Sequence, residues 1–256
     1  MFYFTSFMTI LTVMTLFYFR QRITKNATSV DAVWALGIGI HTAFLSWRAE
    51  GDEARRWVIA VLVGIWAARL AGHLYVDRVR TGIEDGRYAT FRREWNEVAF
   101  YGMYVVQGIL VFLLPLTFLG ALKNPAEFPS MLDLVALALW AISIGGEWTA
   151  DRQLARFRSN PTNRGRTCRE GMWRYSRHPN YFFEWLIWCA YIPLSIGSPL
   201  FFVALLGPAL LLFLLLKVSG VPPTEAQALS SRGDDYRRYQ QSTSVFFPWF
   251  PKGGAS

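Results

Sequence analysis

Apolar positions in this 256-residue chain are gathered into long blocks separated by polar segments rich in Arg. Crossing roughly 30 Å of hydrocarbon takes about 20 apolar residues in a helix, because every backbone polar group must be satisfied within the segment. Seven blocks meet or approach that length. They run from Met1 to Phe19, Thr28 to Trp47, Trp57 to Val76, Ala99 to Leu122, Met131 to Ala150, Tyr181 to Ile196 and Leu200 to Leu216. The last two are short and joined by a Gly-Ser-Pro turn at 197–199, so they read either as tilted spans or as one hairpin that barely crosses. The pattern predicts an all-α, polytopic membrane bundle of about seven transmembrane helices. Beyond the last block, Pro222-Pro223 stops the span and opens a short polar segment of helical character.

Composition agrees with a membrane class, since 53% of residues are hydrophobic and 16% aromatic. Charge then sets an orientation. Of the 26 Lys and Arg, 21 fall at 20–27, 77–98, 151–179 and 217–256, and 4 fall in the intervening loops. Cytoplasmic loops carry the basic excess, so the N-terminus is expected outside and the C-terminus in the cytoplasm. Arg20, Arg22 and Lys25 follow the first block instead of preceding it, which reads as a first transmembrane helix and not a signal peptide. Cys168 and Cys189 imply no disulfide framework. There is no internal repeat or linker, so residues 1–256 read as one integral-membrane domain. Although the net charge is +8, no nucleic-acid module accompanies it, and no nucleic-acid partner is expected. GxGxxG, GxxxxGK[ST], HExxH, CxxC and GxSxG are all missing, and His41, His73 and His178 are scattered, so no metal site is expected.

Asp31, Arg69, Glu147 and Glu184 are charged residues that lie inside apolar blocks. Facing lipid, they would together cost on the order of 10 kcal/mol. They therefore either line a polar cavity or, near helix ends, snorkel to the headgroups. Spacing favours the cavity for two of them. Glu147, Asp151 and Arg158 share one helical face, and Asn180, Glu184 and Trp188 repeat a four-residue step on the next helix. Between them lie Arg164, Arg166, Arg169, Arg174 and Arg177. Such walls suit a ligand with both amide and phosphate groups. Pro179 suits a first helical turn, whose free amides favour an anion, with Arg177 and His178 beside it.

The stretch Gly171-Met-Trp-Arg-Tyr-Ser-Arg-His-Pro-Asn-Tyr181, followed by Glu184 and Trp188, resembles the C-terminal domain of the steroid 5-alpha-reductase family, most closely its bacterial members of unassigned substrate. Asp31-Ala-Val-Trp34, Glu84-Asp-Gly-Arg-Tyr88, Ala150-Asp-Arg-Gln-Leu-Ala-Arg-Phe-Arg158, Lys217-Val-Ser-Gly-Val-Pro222 with Glu225, and Tyr236-Arg-Arg-Tyr239 before Phe247-Pro-Trp-Phe-Pro251 extend the likeness over nearly the whole chain. The resemblance implies a seven-helix reductase with substrate-side helices in 1–122 and an NADPH-binding half in 131–256. Glu147, Asp151, Arg158, Arg177, His178, Asn180, Tyr181, Glu184, Tyr236 and Arg87 fall at positions that look like cofactor contacts. Tyr75, in His73-Leu-Tyr-Val-Asp-Arg78, aligns with the tyrosine that acts as acid toward a substrate carbonyl. Asp31, Trp34 and Arg69 are the substrate-side candidates. Two departures stand out: the second helix lacks the Gln-Glu pair of steroid-reducing members, and Phe183 occupies the place of a small Gly.

The expected activity is hydride transfer from NADPH to a C=C bond of a lipophilic enone, in a bacterial inner membrane with the cofactor site facing the cytoplasm. An alternative is an S-adenosylmethionine-dependent methyltransferase like the isoprenylcysteine carboxyl methyltransferases, which share the Arg-His-Pro-x-Tyr turn. A lipid-binding protein without catalysis is a third. Nothing in the sequence fixes the lipid, the direction of reaction or the oligomeric state.

Overall fold

The computed structural model describes residues 1–80 and 82–252, all helix, turn or loop with no strand among the described residues. Helices α1 (Phe2–Thr24), α2 (Ser29–Arg48), α3 (Glu53–Leu74), α4 (Gly86–Glu94), α5 (Glu97–Leu116) and α6 (Leu119–Leu122) come first. They are followed by α7 (Met131–Ser159), α8 (Pro179–Cys189), α9 (Tyr191–Ser195), α10 (Phe201–Phe213), α11 (Val221–Arg232) and α12 (Asp234–Ser242). Among the described residues, six helical stretches are long and apolar enough to cross a membrane: 2–24, 29–48, 53–74, 97–122, 131–159 and 201–232. The chain is thus a polytopic helical membrane protein. It divides into two compact units, residues 1–130 with 195–204, and residues 131–194 with 205–256.

In the first unit α2 packs on α3 through small residues. A Cβ on Gly39 would lie 2.8 Å from the Ala67 Cβ, so the two backbones approach as only glycine allows. Asp52 and Asn96 cap α3 and α5, accepting the Arg55 and Ala99 N–H groups at 2.9 and 2.8 Å. Arg55 is fully buried and donates to the carbonyls of Asn124 at 3.2 Å and Ala126 at 2.5 Å, closing the loop after α6 onto the start of α3. At its other end α3 passes into a π-turn over Tyr75–Val79, where the Arg80 N–H reaches the Tyr75 carbonyl at 2.8 Å.

In the second unit the apolar run expected at 181–196 is not a continuous span. It is broken at Ala190 into α8 and α9. The cause is Pro193, which has no N–H for the Cys189 carbonyl and whose ring crowds it. Topology nevertheless ties this segment to α10. Ser176 Oγ donates to the Phe246 carbonyl at 2.8 Å and the Arg177 N–H to the Ser244 carbonyl at 2.8 Å, so the turn before α8 and the tail after α12 share one side of the membrane. An even number of crossings must separate them. If α10 crosses, Pro179–Ser195 crosses too, and at 1.5 Å per residue its length of about 25 Å comes close to a bilayer core. The sixth expected span is thus a broken one.

Candidate functional site

Three contacts fix the geometry between α7 and α8. Gln153 Oε1 accepts the Met172 N–H and the Ala150 carbonyl accepts the Trp173 indole N–H, both at 2.9 Å, fastening the 3-10 turn Gly171–Arg174 to α7. Gly171 has φ 57°, and a Cβ there would sit 2.5 Å from the Gln153 amide, so the position demands glycine twice over. One membrane turn deeper, the Phe183 ring of α8 lies over Gly146 of α7, where an added Cβ would come within 2.5 Å of the ring. The large Phe183 side chain of α8 is thus accommodated by a glycine on the opposing helix.

This packing brings together the two polar faces expected from spacing. Asn180 Nδ2 donates to Asp151 Oδ1 at 3.2 Å. The other Asn180 amide atom, Oδ1, is buried and receives no hydrogen bond. Glu147 is 5% exposed, one turn before Asp151, and Arg158 is exposed two turns after it. Glu184 is half-buried and accepts the Trp188 indole N–H at 3.4 Å, a long bond. Neither Glu147 nor Glu184 snorkels as an exposed side chain.

Arg177, His178 and Tyr236 gather around a different acceptor, Glu225. Its Oε1 takes the Arg177 Nε–H at 2.7 Å and the Tyr236 hydroxyl at 3.2 Å, with His178 Nε2 at 3.2 Å; its Oε2 takes the Gln240 amide at 2.7 Å. Arg177 also donates to the carbonyls of Gln240 and Thr243 at 2.8 and 3.0 Å. Gly220 ends the apolar stretch, which leaves Glu225 on the polar helix α11. Burial alone raises a carboxyl pKa, but the bonds from His178 and Gln240 and the Arg177 charge outweigh it and hold Glu225 at about 2. Tyr181 stacks on the His178 ring at 5.2 Å and shares a 3.0 Å hydrogen bond with Thr224. Arg169 is likewise engaged, with Asp235 Oδ1 at 2.9 Å. Glu225 follows the Lys217-Val-Ser-Gly-Val-Pro222 stretch on the polar helix α11. Its hub position depends on partners 11 to 48 residues away, which no local spacing reveals.

The remaining candidates lie in the first unit. Asp31 accepts the Tyr88 hydroxyl and, at 2.7 Å, Arg87 Nη2, while Arg78 pairs with Asp85 at 2.9 Å. Asp85 also accepts Arg87 Nε at 3.1 Å; against the upward push of burial, the Arg87 bond and charge hold its carboxyl below the usual range. Asp31 and Arg87 therefore fasten the 84–88 segment to α2 through an ion network. Trp34 meets Trp66 edge-on at 6.3 Å and keeps a buried indole N–H without an acceptor. Arg69 is half-buried on α3, and Tyr75 is 55% exposed at the head of the π-turn.

A buried amide oxygen without a donor, on a side chain whose NH₂ group donates to the Asp151 carboxylate, is equipped to receive an N–H group. A family profile described as a protein of unknown function, DUF1295, matches residues 17–243. An uncharacterized protein of Schizosaccharomyces pombe is 26% identical over 260 residues, covering 88% of this chain and 73% of its own length. No solved structure matches.

Proposed function

Because the chain belongs to the DUF1295 family, which carries no stated activity, we propose from its own residues that it is an NADPH-dependent membrane reductase of the steroid 5-alpha-reductase type. One observation carries this reading: Asn180 Oδ1 is a buried acceptor with no donor, held beside Asp151 by the other half of the same amide. Leaving such an acceptor unanswered costs about 1 to 3 kcal/mol, and a carboxamide N–H answers it. Asn180, Glu147 and Glu184 then grip the amide and fix which ring face is presented, while Arg158 at the water end of the same face meets phosphate. NADPH supplies a hydride to the C=C bond of a lipophilic enone when bound. The Tyr75 hydroxyl donates a hydrogen bond to the enone carbonyl oxygen in this reading, drawing electron density from the double bond, and the one proton that completes the reduction follows from solvent or a side chain. The 151–179 and 217–252 segments face the cytoplasm in this reading, where the cofactor is available.

A second reading, an S-adenosylmethionine-dependent methyltransferase, gains from one observation. Arg169 and Arg177 are committed to Asp235 and Glu225, so fewer arginines call for phosphates. Titration calorimetry of the purified chain with each cofactor separates the two: heat with NADPH alone supports the reductase, and heat with S-adenosylmethionine alone overturns it. Given NADPH binding, Tyr75→Phe is expected to slow reduction across an enone lipid panel by about a hundredfold or more while leaving cofactor affinity intact.

A further inference from the structure

Helix α7 continues past its apolar stretch, and there it presents a second polar face. At about 100° per residue, Gln153, Arg156 and Asn160 stand roughly 140 to 200° around the helix from Asp151, on the side away from Glu147 and Arg158. The chain leaving α7 folds back over that side. Asn160 Oδ1 accepts the Thr162 N–H at 3.1 Å, and Asn163 Nδ2 donates to the Phe157 carbonyl at 2.9 Å. The result is an open cleft of about 570 Å³ lined by Gln153, Arg156, Phe157, Asn160, Asn163 and Glu170.

Two of these side chains carry opposite charges that nothing among the described residues answers. Arg156 and Glu170 are both exposed, and neither side chain forms a hydrogen bond or an ion pair, including with the other. Unpaired charges of opposite sign in one cleft suit a zwitterion. Depth narrows the class. Arg156 lies about 9 Å along the axis beyond Ala150, where headgroups give way to water. Just below it, the Arg152 guanidinium lies 4.4 Å over the ring of Trp148, an exposed tryptophan of the kind that marks a bilayer interface.

We propose that this cleft holds the headgroup of a zwitterionic phospholipid bearing a primary ammonium, of the phosphoethanolamine type. Arg156 and the Asn160 Nδ2–H donate to the phosphate, and Glu170 accepts from the ammonium. The site stands independently of the reductase reading, since it uses the other face of α7.

The test is native mass spectrometry of the full chain in detergent, titrated with dioleoyl phosphatidylethanolamine, phosphatidylcholine or phosphatidylglycerol. The ethanolamine lipid is expected to bind best. Arg156→Gln should weaken it about fivefold or more, and because Arg156 holds no other side chain the variant should melt like the wild type. Glu170→Gln should erase the preference for ethanolamine over glycerol headgroups, and Arg174→Gln, an exposed arginine outside the cleft, should change nothing. Equal retention of all three lipids by the wild type, or undiminished binding by Arg156→Gln, overturns the proposal. Displacement of bound lipid by NADPH also overturns it, by assigning the cleft to dinucleotide phosphates.

Discussion

Glu225 shows most plainly how one side chain organises its surroundings. It carries four polar partners, and three of them, Arg177, His178 and Tyr236, are expected from sequence to face a cofactor. Removing its charge in Glu225→Gln leaves the 11%-exposed Arg177 side chain without a counter-ion, a loss of about 3 to 5 kcal/mol. The variant should melt at lower temperature and be cut faster by protease between α11 and the C-terminal tail. The same carboxylate predicts a pH dependence. Its folded pKa of about 2 lies below the ordinary glutamate value of 4.5, so its stabilisation is complete above that value and is lost as pH falls from about 4.5 through about 2. Protection against hydrogen exchange across 221–246, taken relative to the intrinsic rate at each pH, should fall over that window; constant protection there would contradict the assignment. Gly146 gives a steric counterpart. Gly146→Ala drives a methyl group into the Phe183 ring and should cost about 1 to 3 kcal/mol, with Phe183→Leu in the same chain restoring part of it. Additive losses would show that the two residues do not meet.

Among elements, length and hydropathy made most of the fold legible. Apolar blocks at 1–19, 28–47, 57–76, 99–122 and 131–150 each fall within one helical stretch or nearly so, because a span has few other ways to satisfy its backbone. The break at Ala190 was less legible: the residues around it are apolar, and hydropathy does not register the missing N–H of Pro193. Pro193→Ala returns a donor to the Cys189 carbonyl and should slow amide exchange around Ala190–Ile192 by about tenfold; unchanged exchange would place the cause of the break elsewhere. The π-turns at Tyr75–Val79 and Leu214–Val218 were invisible for a related reason. Each shifts a hydrogen bond from i−4 to i−5, which hardly disturbs an apolar pattern. Site residues followed the same division. Four-residue spacing on α7 and α8 was readable, whereas the Asp151–Asn180 contact and the Gly146–Phe183 fit depend on how two helices meet.

For the whole molecule, the first unit carries Asp31, Trp34, Arg69, Tyr75 and Arg87, and the second carries the α7–α8 seam and the Glu225 hub. Membrane embedding gives the seam its meaning, because polar groups this deep are retained only where something answers them. On the reading proposed above, the answering group is a carboxamide-bearing dinucleotide. Equilibrium binding of NADPH to the purified chain, followed by nucleotide fluorescence for the wild type and Asn180→Leu, tests it most directly. We predict saturable binding by the wild type and a tenfold to hundredfold loss in the variant, about 1.4 to 2.7 kcal/mol. Wild-type protein that binds no NADPH, or a variant that binds it equally well, would contradict the account.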